Sequence, residues 1–190
     1  MGHRLSKITT RTGDLGMTGL ATGERIKKSH HRIQVIGEVD ELNSHIGYLL
    51  TFILPDEIRK VLIETQHRLF ELGAELCMPG HCRIGQEMIL SLEVLSTALN
   101  KTLPPLKEFI LPGGAPVVAF MHIVRAVCRR TERALVALQE MDSTVNPLSL
   151  IYLNRLSDLC FILSRHLNKV MGVNEQMWDP LTETQAKEGG

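Results

Sequence analysis

The sequence predicts an all-α protein, an antiparallel, left-handed up-and-down bundle of five helices behind a glycine-rich N-terminal arm. Three observations carry the prediction. From residue 33 onward apolar residues recur three and four apart, the period of a helix with one buried face. Breaks at Pro55, from Pro104 to Pro116, and at Pro147 divide the stripes. Most of the connections are short, and short connections join antiparallel neighbours. The 190 residues read as one domain, with an arm at 1–32, a bundle at 33–172 and a tail at 173–190. The tail is polar except for Met177, Trp178 and Leu181, and its end is expected to be disordered.

The first helix carries the stripe Val39, Leu42, Ile46, Leu49, Ile53. Pro55-Asp56-Glu57 opens the second, since proline and acidic side chains both suit a first helical turn. Its stripe is Ile58, Leu62, Leu69, Leu72, Leu76, and the third helix follows with Met88, Leu92, Leu95, Leu99. Pro104, Pro105, Pro112 and Gly113-Gly114 forbid regular helix across a connector. A fourth helix starts near Pro116 and carries Phe120, Val124, Cys128, Leu135, Leu138. Asn146 caps the fifth and Pro147 fills its first turn. Its stripe is Leu153, Leu156, Cys160, Leu163, Leu167, Val170, and Gly172 stops it.

Composition narrows the function. Twenty-one basic and twenty-one acidic residues cancel, so no global field attracts nucleic acid or an anionic membrane. No apolar run approaches the roughly 20 residues needed to span a bilayer, and the first residues lack a signal peptide's apolar segment. A cytoplasmic protein is expected, with Cys77, Cys82, Cys128 and Cys160 as free thiols. Cys77, His81 and Cys82 have no second ligand pair at zinc-site spacing.

Polar residues interrupt three helices beside their apolar stripes. His122, Arg125, Arg129 and Glu132 fall on one side of helix four, with Arg133 next to them. Asp40 and Asn43 do the same on helix one, and Asn154 and Asp158 on helix five. Ion pairs on a solvated face would explain each helix singly. A concentration of arginines also suits an anion, because guanidinium binds phosphate bidentately. The arm holds a basic excess of five over residues 1–32 and runs Thr9-Thr10-Arg11-Thr12-Gly13-Asp14 into Gly16, Thr18, Gly19 and Thr22-Gly23. Such glycines let backbone N–H groups approach phosphate oxygens. The segment is neither a Walker loop nor a dinucleotide fingerprint. A disordered basic arm and a polyanion-wrapping loop both remain open on composition.

Six segments, in order, resemble the PduO-type ATP:cob(I)alamin adenosyltransferases. They are Thr10-Arg11-Thr12-Gly13-Asp14, Thr22-Gly23-Glu24-Arg25, Val39-Asp40-Glu41-Leu42-Asn43-Ser44, Phe109-Ile110-Leu111-Pro112-Gly113-Gly114, Cys128-Arg129-Arg130-Thr131-Glu132-Arg133 and Tyr152-Leu153-Asn154-Arg155-Leu156-Ser157-Asp158. The resemblance spans the chain from about residue 7 to 165, and the polar interruptions fall inside these segments.

The resemblance implies a five-helix bundle assembling as a homotrimer, with active sites between subunits. It implies that the cobalt of cob(I)alamin attacks the 5′ carbon of ATP, giving adenosylcobalamin and triphosphate, with magnesium as cofactor. Carried over by position, Lys7, Thr10, Arg11, Thr12, Gly13, Thr18, Gly19 and Lys28 would line the phosphates and ribose. Arg129, Arg130, Glu132 and Arg133 would form a second wall, Arg129 on the triphosphate and Glu132 on magnesium, and Asn154 would complete the nucleotide pocket. Asp40 would pair with Arg125 and shape the corrinoid side, while Phe109 would crowd the lower corrin face and exclude the lower axial ligand. The catalytic set is therefore Asp40, Phe109, Arg125 and Arg129. A corrinoid reductase and an adenosylcobalamin-dependent mutase are the implied protein partners. Leu15, Ile36 and Thr131 depart from the family pattern without removing a phosphate ligand.

Among the remaining candidates, the other histidines read as surface groups, His122 as a possible neighbour of the pocket, and Met88, Met121 and Met141 as packing. Trp178 reads as a docking anchor for the tail. A nucleotide-binding carrier that delivers adenosylcobalamin without making it is the alternative from a different class. A purely structural bundle would leave the arginines and the arm unexplained.

Overall fold

The structure is a computed structural model that describes residues 8–179. Five helices account for most of it: α1 (His31–Leu49), α2 (Asp56–Leu76), α3 (Gln86–Asn100), α4 (Pro116–Met141) and α5 (Pro147–Met171). The arm adds what the helical expectation lacked, an antiparallel hairpin of β1 (Met17–Gly19) and β2 (Arg25–Lys27). Its turn closes through Leu20 N–H to the Glu24 carbonyl at 2.8 Å, with Gly23 at φ 90°. A side chain at that φ would be strained, which is why glycine stands there.

Local chemistry sets most helix ends. The His30 imidazole Nδ1 accepts from Arg32 N–H at 3.1 Å and caps α1. Asn146 accepts from Leu148 N–H at 3.1 Å ahead of Pro147, and Gly172 ends α5 at φ 65°. α1 packs on α2 and α4, α4 on α5, and α5 on α3. Glu38 and Glu41 meet Arg130, while His45 and Tyr48 meet Phe120, so α1 and α4 run antiparallel. Arg155 meets Glu93 and Lys169 meets the Thr102 carbonyl, so α5 and α3 run parallel.

The core is built from the stripes, with Leu42, Leu69, Leu72, Val124, Cys128, Leu135 and Leu153 fully buried. Each large apolar side chain removed from water contributes about 1.5–3 kcal/mol. Three expectations fail at stripe ends. Ile53 lies past the end of α1 and is 93% exposed, leaving Leu54 to enter the core. Val170 and Met141 are exposed in the last turns of α5 and α4, where the bundle has no facing layer. On α3 the buried line is Ile89 and Leu92, while Met88, Leu95 and Leu99 pack only at its edge.

One end of the bundle is tied by polar groups. The buried Glu75 carboxylate accepts from Arg83 N–H (2.8 Å), Ile84 N–H (3.1 Å), Asn146 Nδ2 (3.2 Å) and the Ser149 hydroxyl. Buried Arg32 donates to the Leu76 carbonyl (2.8 Å), Asp142 (2.6 Å) and Thr144 (3.0 Å). Ala21 N–H reaches the Cys77 carbonyl at 3.0 Å, and Leu20 is buried, so the hairpin docks on this same end.

Candidate functional site

The arm pairs as a hairpin over residues 17–27, preceded by a turn at residues 12–15; Lys7 lies outside the described residues. Its loop is compact. Thr10 and Thr12 share a hydroxyl hydrogen bond at 2.9 Å, and Gly16 N–H donates to the Gly13 carbonyl at 3.1 Å. Lys28 N–H closes the base on the Gly16 carbonyl at 2.8 Å. Arg25 clamps the loop from below, donating to the Thr12 carbonyl at 2.6 Å. Arg11 adopts φ 59°, a left-handed conformation that is costly for any residue with a Cβ. Gly13 sits against the Lys28 ammonium, since a Cβ there would lie 3.1 Å from Nζ. Thr18 and Gly19 pair with Ile26 and Arg25 across the hairpin.

A second group stands on α4 and α5. Arg129 and Arg133 are exposed and, among the described residues, have no carboxylate partner. Glu132 accepts from Asn154 Nδ2 at 3.0 Å, so two predicted site residues from different helices do meet. Asn154 in turn accepts from Arg155, whose Nε holds Glu93 at 2.6 Å. Arg130 turns the other way. Its Nε donates to Glu38 at 2.6 Å and its terminal nitrogen to Glu41, both on α1. Those two hydrogen bonds, Glu38 first, raise the pKa of its guanidinium.

The third group surrounds a cleft of about 420 Å³ lined by Leu106, Phe109, Ile110, His122, Arg125 and Phe161. Phe109 is 77% exposed and leans over this space. The tail holds it there: Trp178 N–H donates to the Phe109 carbonyl at 2.7 Å, Leu111 N–H to the Gln176 carbonyl at 2.8 Å, and the Trp178 ring meets the Phe109 ring edge-on. A buried Arg165–Glu175 pair at 2.8 Å fixes the start of that segment. Burial above all, then the positive charge of Arg125, holds His122 below its ordinary pKa, with Glu175 acting in the opposite direction.

The expected Asp40–Arg125 pair does not form within the chain. Asp40 lines a separate groove of about 370 Å³ between α1 and α2, with Ile36, Asn43, Phe70, Gly73 and Cys77. Arg125 faces the Phe109 cleft on another side of α4. The two side chains leave their helices in different directions because α4 presents Phe120 and Arg130 to α1, and Arg125 lies well around the helix from both. Sequence reasoning also assigned no role to Arg25 or Phe161. Arg25 was signalled by its place in Thr22-Gly23-Glu24-Arg25, whereas Phe161 reads as one more apolar residue of α5.

The family model for cobalamin adenosyltransferase matches residues 8–167. The chain is 51% identical to a cobalamin adenosyltransferase of Cupriavidus metallidurans, covering 94% of this chain and 97% of the relative. It is 44% identical to a corrinoid adenosyltransferase of Mycobacterium tuberculosis (88% and 92% covered) and 35% identical to the human corrinoid adenosyltransferase MMAB (96% and 78%). In structure it resembles a phenylalanine variant of the PduO-type ATP:corrinoid adenosyltransferase of Lactobacillus reuteri complexed with cobalamin and ATP. That likeness has a TM-score of 0.85 at 31% identity, over 90% of this chain and 99% of the other. An arginine-to-lysine variant of the same enzyme, complexed with ATP, matches with the same TM-score over 90% and 100%.

Proposed function

The chain belongs to the cobalamin adenosyltransferase family, and we propose from its geometry how it transfers the 5′-deoxyadenosyl group of ATP to the cobalt of cob(I)alamin. The electron pair of Co(I) forms the bond to C5′, the C5′–O5′ bond breaks, and triphosphate leaves with the two electrons of that broken bond. The nucleophile belongs to a substrate. The protein must therefore hold C5′ in line with cobalt and stabilise charge on the leaving triphosphate.

One observation carries the phosphate site: Arg129 and Arg133 stand exposed without carboxylate partners among the described residues, beside the Glu132–Asn154 pair, while Arg130 between them is held by α1. Two exposed guanidinium groups one turn apart, Arg133 resting one nitrogen on the Arg129 carbonyl, suit the oxygens of a triphosphate. Thr10, Arg11, Thr12, Gly13, Thr18, Gly19 and Lys28 would close over the phosphates and ribose from the arm, with Lys7 before them. Glu132 suits magnesium, being half-buried and bonded to a neutral amide, and magnesium takes one or two carboxylates together with phosphate oxygens and waters. Arg130 acts in this reading by fixing α4 on α1, not by touching phosphate.

Asp40 and Arg125 open onto separate grooves, so a pair between them is available only across a subunit boundary. This supports a homotrimer with active sites between subunits, in which the Asp40 groove, with Phe70 exposed on its edge, meets a neighbour. Phe109 would lie against the lower face of the corrin. No helix among the described residues is long and apolar enough to cross a membrane. A cytoplasmic enzyme working between a corrinoid reductase and an adenosylcobalamin-dependent mutase fits that finding.

The test is anaerobic. Chemically reduced cobalamin, ATP and magnesium are mixed with the protein, and the visible spectrum follows Co(I) becoming adenosylcobalamin. Arg129→Ala is expected to abolish turnover while leaving the melting temperature unchanged. Full activity in that variant would remove the phosphate wall from α4. A wild-type protein that binds ATP yet never alkylates cobalt would be a carrier instead.

A further inference from the structure

The Phe109 cleft is lined by two residues, each with a buried nitrogen to which the roles given above assign no partner. Among the described residues, His122 Nδ1 and Arg125 Nε have no hydrogen-bond partner, and both side chains line the cleft. His122 is only 5% exposed. A buried polar group left unpaired costs about 1–3 kcal/mol, and one that lines a cleft can be completed by water, an ion or a ligand entering it. The two residues are i and i+3 on α4 and therefore neighbours on one face. Leu106, Phe109, Ile110 and Phe161 make much of the cleft apolar, Lys107 and Glu108 stand on its connector side, and His122 and Arg125 are the polar groups that α4 presents to it.

Charge decides what they recognise. Arginine offers donors only. His122 is neutral near pH 7, held so by burial and by Arg125, and a neutral imidazole keeps one acceptor nitrogen. A donor beside an acceptor matches a primary carboxamide, whose oxygen accepts and whose N–H donates. A carboxylate offers acceptors alone and would set its charge against the imidazole lone pair. The rim of a corrin ring carries primary carboxamides.

We propose that His122 and Arg125 together read a peripheral carboxamide of the corrinoid, the amide oxygen accepting from Arg125 Nε–H and the amide N–H donating to His122, so that the enzyme discriminates against corrinoids bearing a free carboxylate there. This rests on the Phe109 cleft being the corrinoid side of the active site. The terminal nitrogens of Arg125 stay available to Asp40 of a neighbouring subunit. Acid should erode the discrimination, because a protonated His122 beside Arg125 presents donors only and welcomes a carboxylate. The other charges around it are Glu175 on the tail, its partner Arg165 on α5, and Lys107 and Glu108 on the connector.

The experiment titrates cob(II)alamin and its separated peripheral monocarboxylates into the ATP-saturated protein, with binding read from the visible spectrum. Wild type is expected to bind the amide at least about tenfold more tightly than one of the monocarboxylates near neutral pH. His122→Leu should lose most of that ratio, while His122→Gln, which keeps a donor and an acceptor, should retain it. Calorimetric ATP affinity, expected to be unchanged in both variants, shows that they fold. An unaltered ratio in His122→Leu, or no monocarboxylate discriminated by wild type, overturns the inference and leaves the proposed function standing. Failure of wild type to bind any of these corrinoids overturns that function itself.

Discussion

Replacing Gly13 with alanine should weaken ATP binding without weakening the fold. Its backbone is not in the left-handed region, so alanine is conformationally acceptable. Restricting the unfolded chain would even stabilise the protein by about 0.4–1 kcal/mol if nothing else moved. The new Cβ would lie 3.1 Å from Lys28 Nζ, 3.2 Å from Cε and 3.4 Å from the Met17 carbonyl oxygen. The carbonyl belongs to β1 and stays, so the flexible end of Lys28 must give by a few tenths of an ångström. A charge-assisted hydrogen bond to phosphate is worth about 1.5–3 kcal/mol, which sets the loss for Lys28→Ala at roughly 10- to 150-fold in affinity. Displacing the ammonium without removing it forfeits only part of that, about three- to tenfold. Isothermal titration with ATP and magnesium reads the affinity, and a melting curve on the same sample reads the fold. Equal ATP affinity in Gly13→Ala and wild type, alongside a large loss in Lys28→Ala, would show that Gly13 does not set the lysine's position. Equal affinity in all three would remove Lys28 from the phosphate site.

The three clustered arginines of α4 should separate by assay: Arg133→Ala raises the KM for ATP at constant melting temperature, whereas Arg130→Ala loses its half-exposed pairs to Glu38 and Glu41 and costs stability, by no more than about 1 kcal/mol. Glu75→Ala leaves two backbone N–H groups and a hydroxyl unpaired in the interior, with the Asn146 amide keeping only its bond to the Ile84 carbonyl, and should destabilise by at least about 3 kcal/mol in urea titrations; a change under about 1 kcal/mol would mean that water replaces the carboxylate. Asp142 is held down to about 2 by the Thr144 hydroxyl and then by Arg32, so its stabilisation is present above the usual carboxylate pKa and fades as pH falls from about 4 toward 2. With the side chain 28% exposed, solvent screening limits this to about 1–2 kcal/mol, and Asp142→Asn should flatten that part of the stability–pH curve.

Much of the fold was legible because its signals are local. Asn146-Pro147 and Gly172 bound α5 through groups within a few residues of each helix end, and the stripes mark which side of each helix must leave water. The motifs likewise placed Glu132 and Asn154 in one site, and the structure joins them by a hydrogen bond. Only the tertiary structure decided which neighbour each polar side chain meets. Arg129, Arg130 and Arg133 read alike in the sequence, but Arg130 pairs with Glu38, 92 residues away, because helix rotation points it at α1. The same rotation keeps Arg125 from Asp40 within the chain. The docking of Trp178 on the backbone of Phe109 depends on where a connector and a tail come to lie once five helices have packed. Periodicity and caps report how a segment relates to itself. Pairings across the bundle are set by the sum of all its packed faces, and no single stretch of sequence carries that sum.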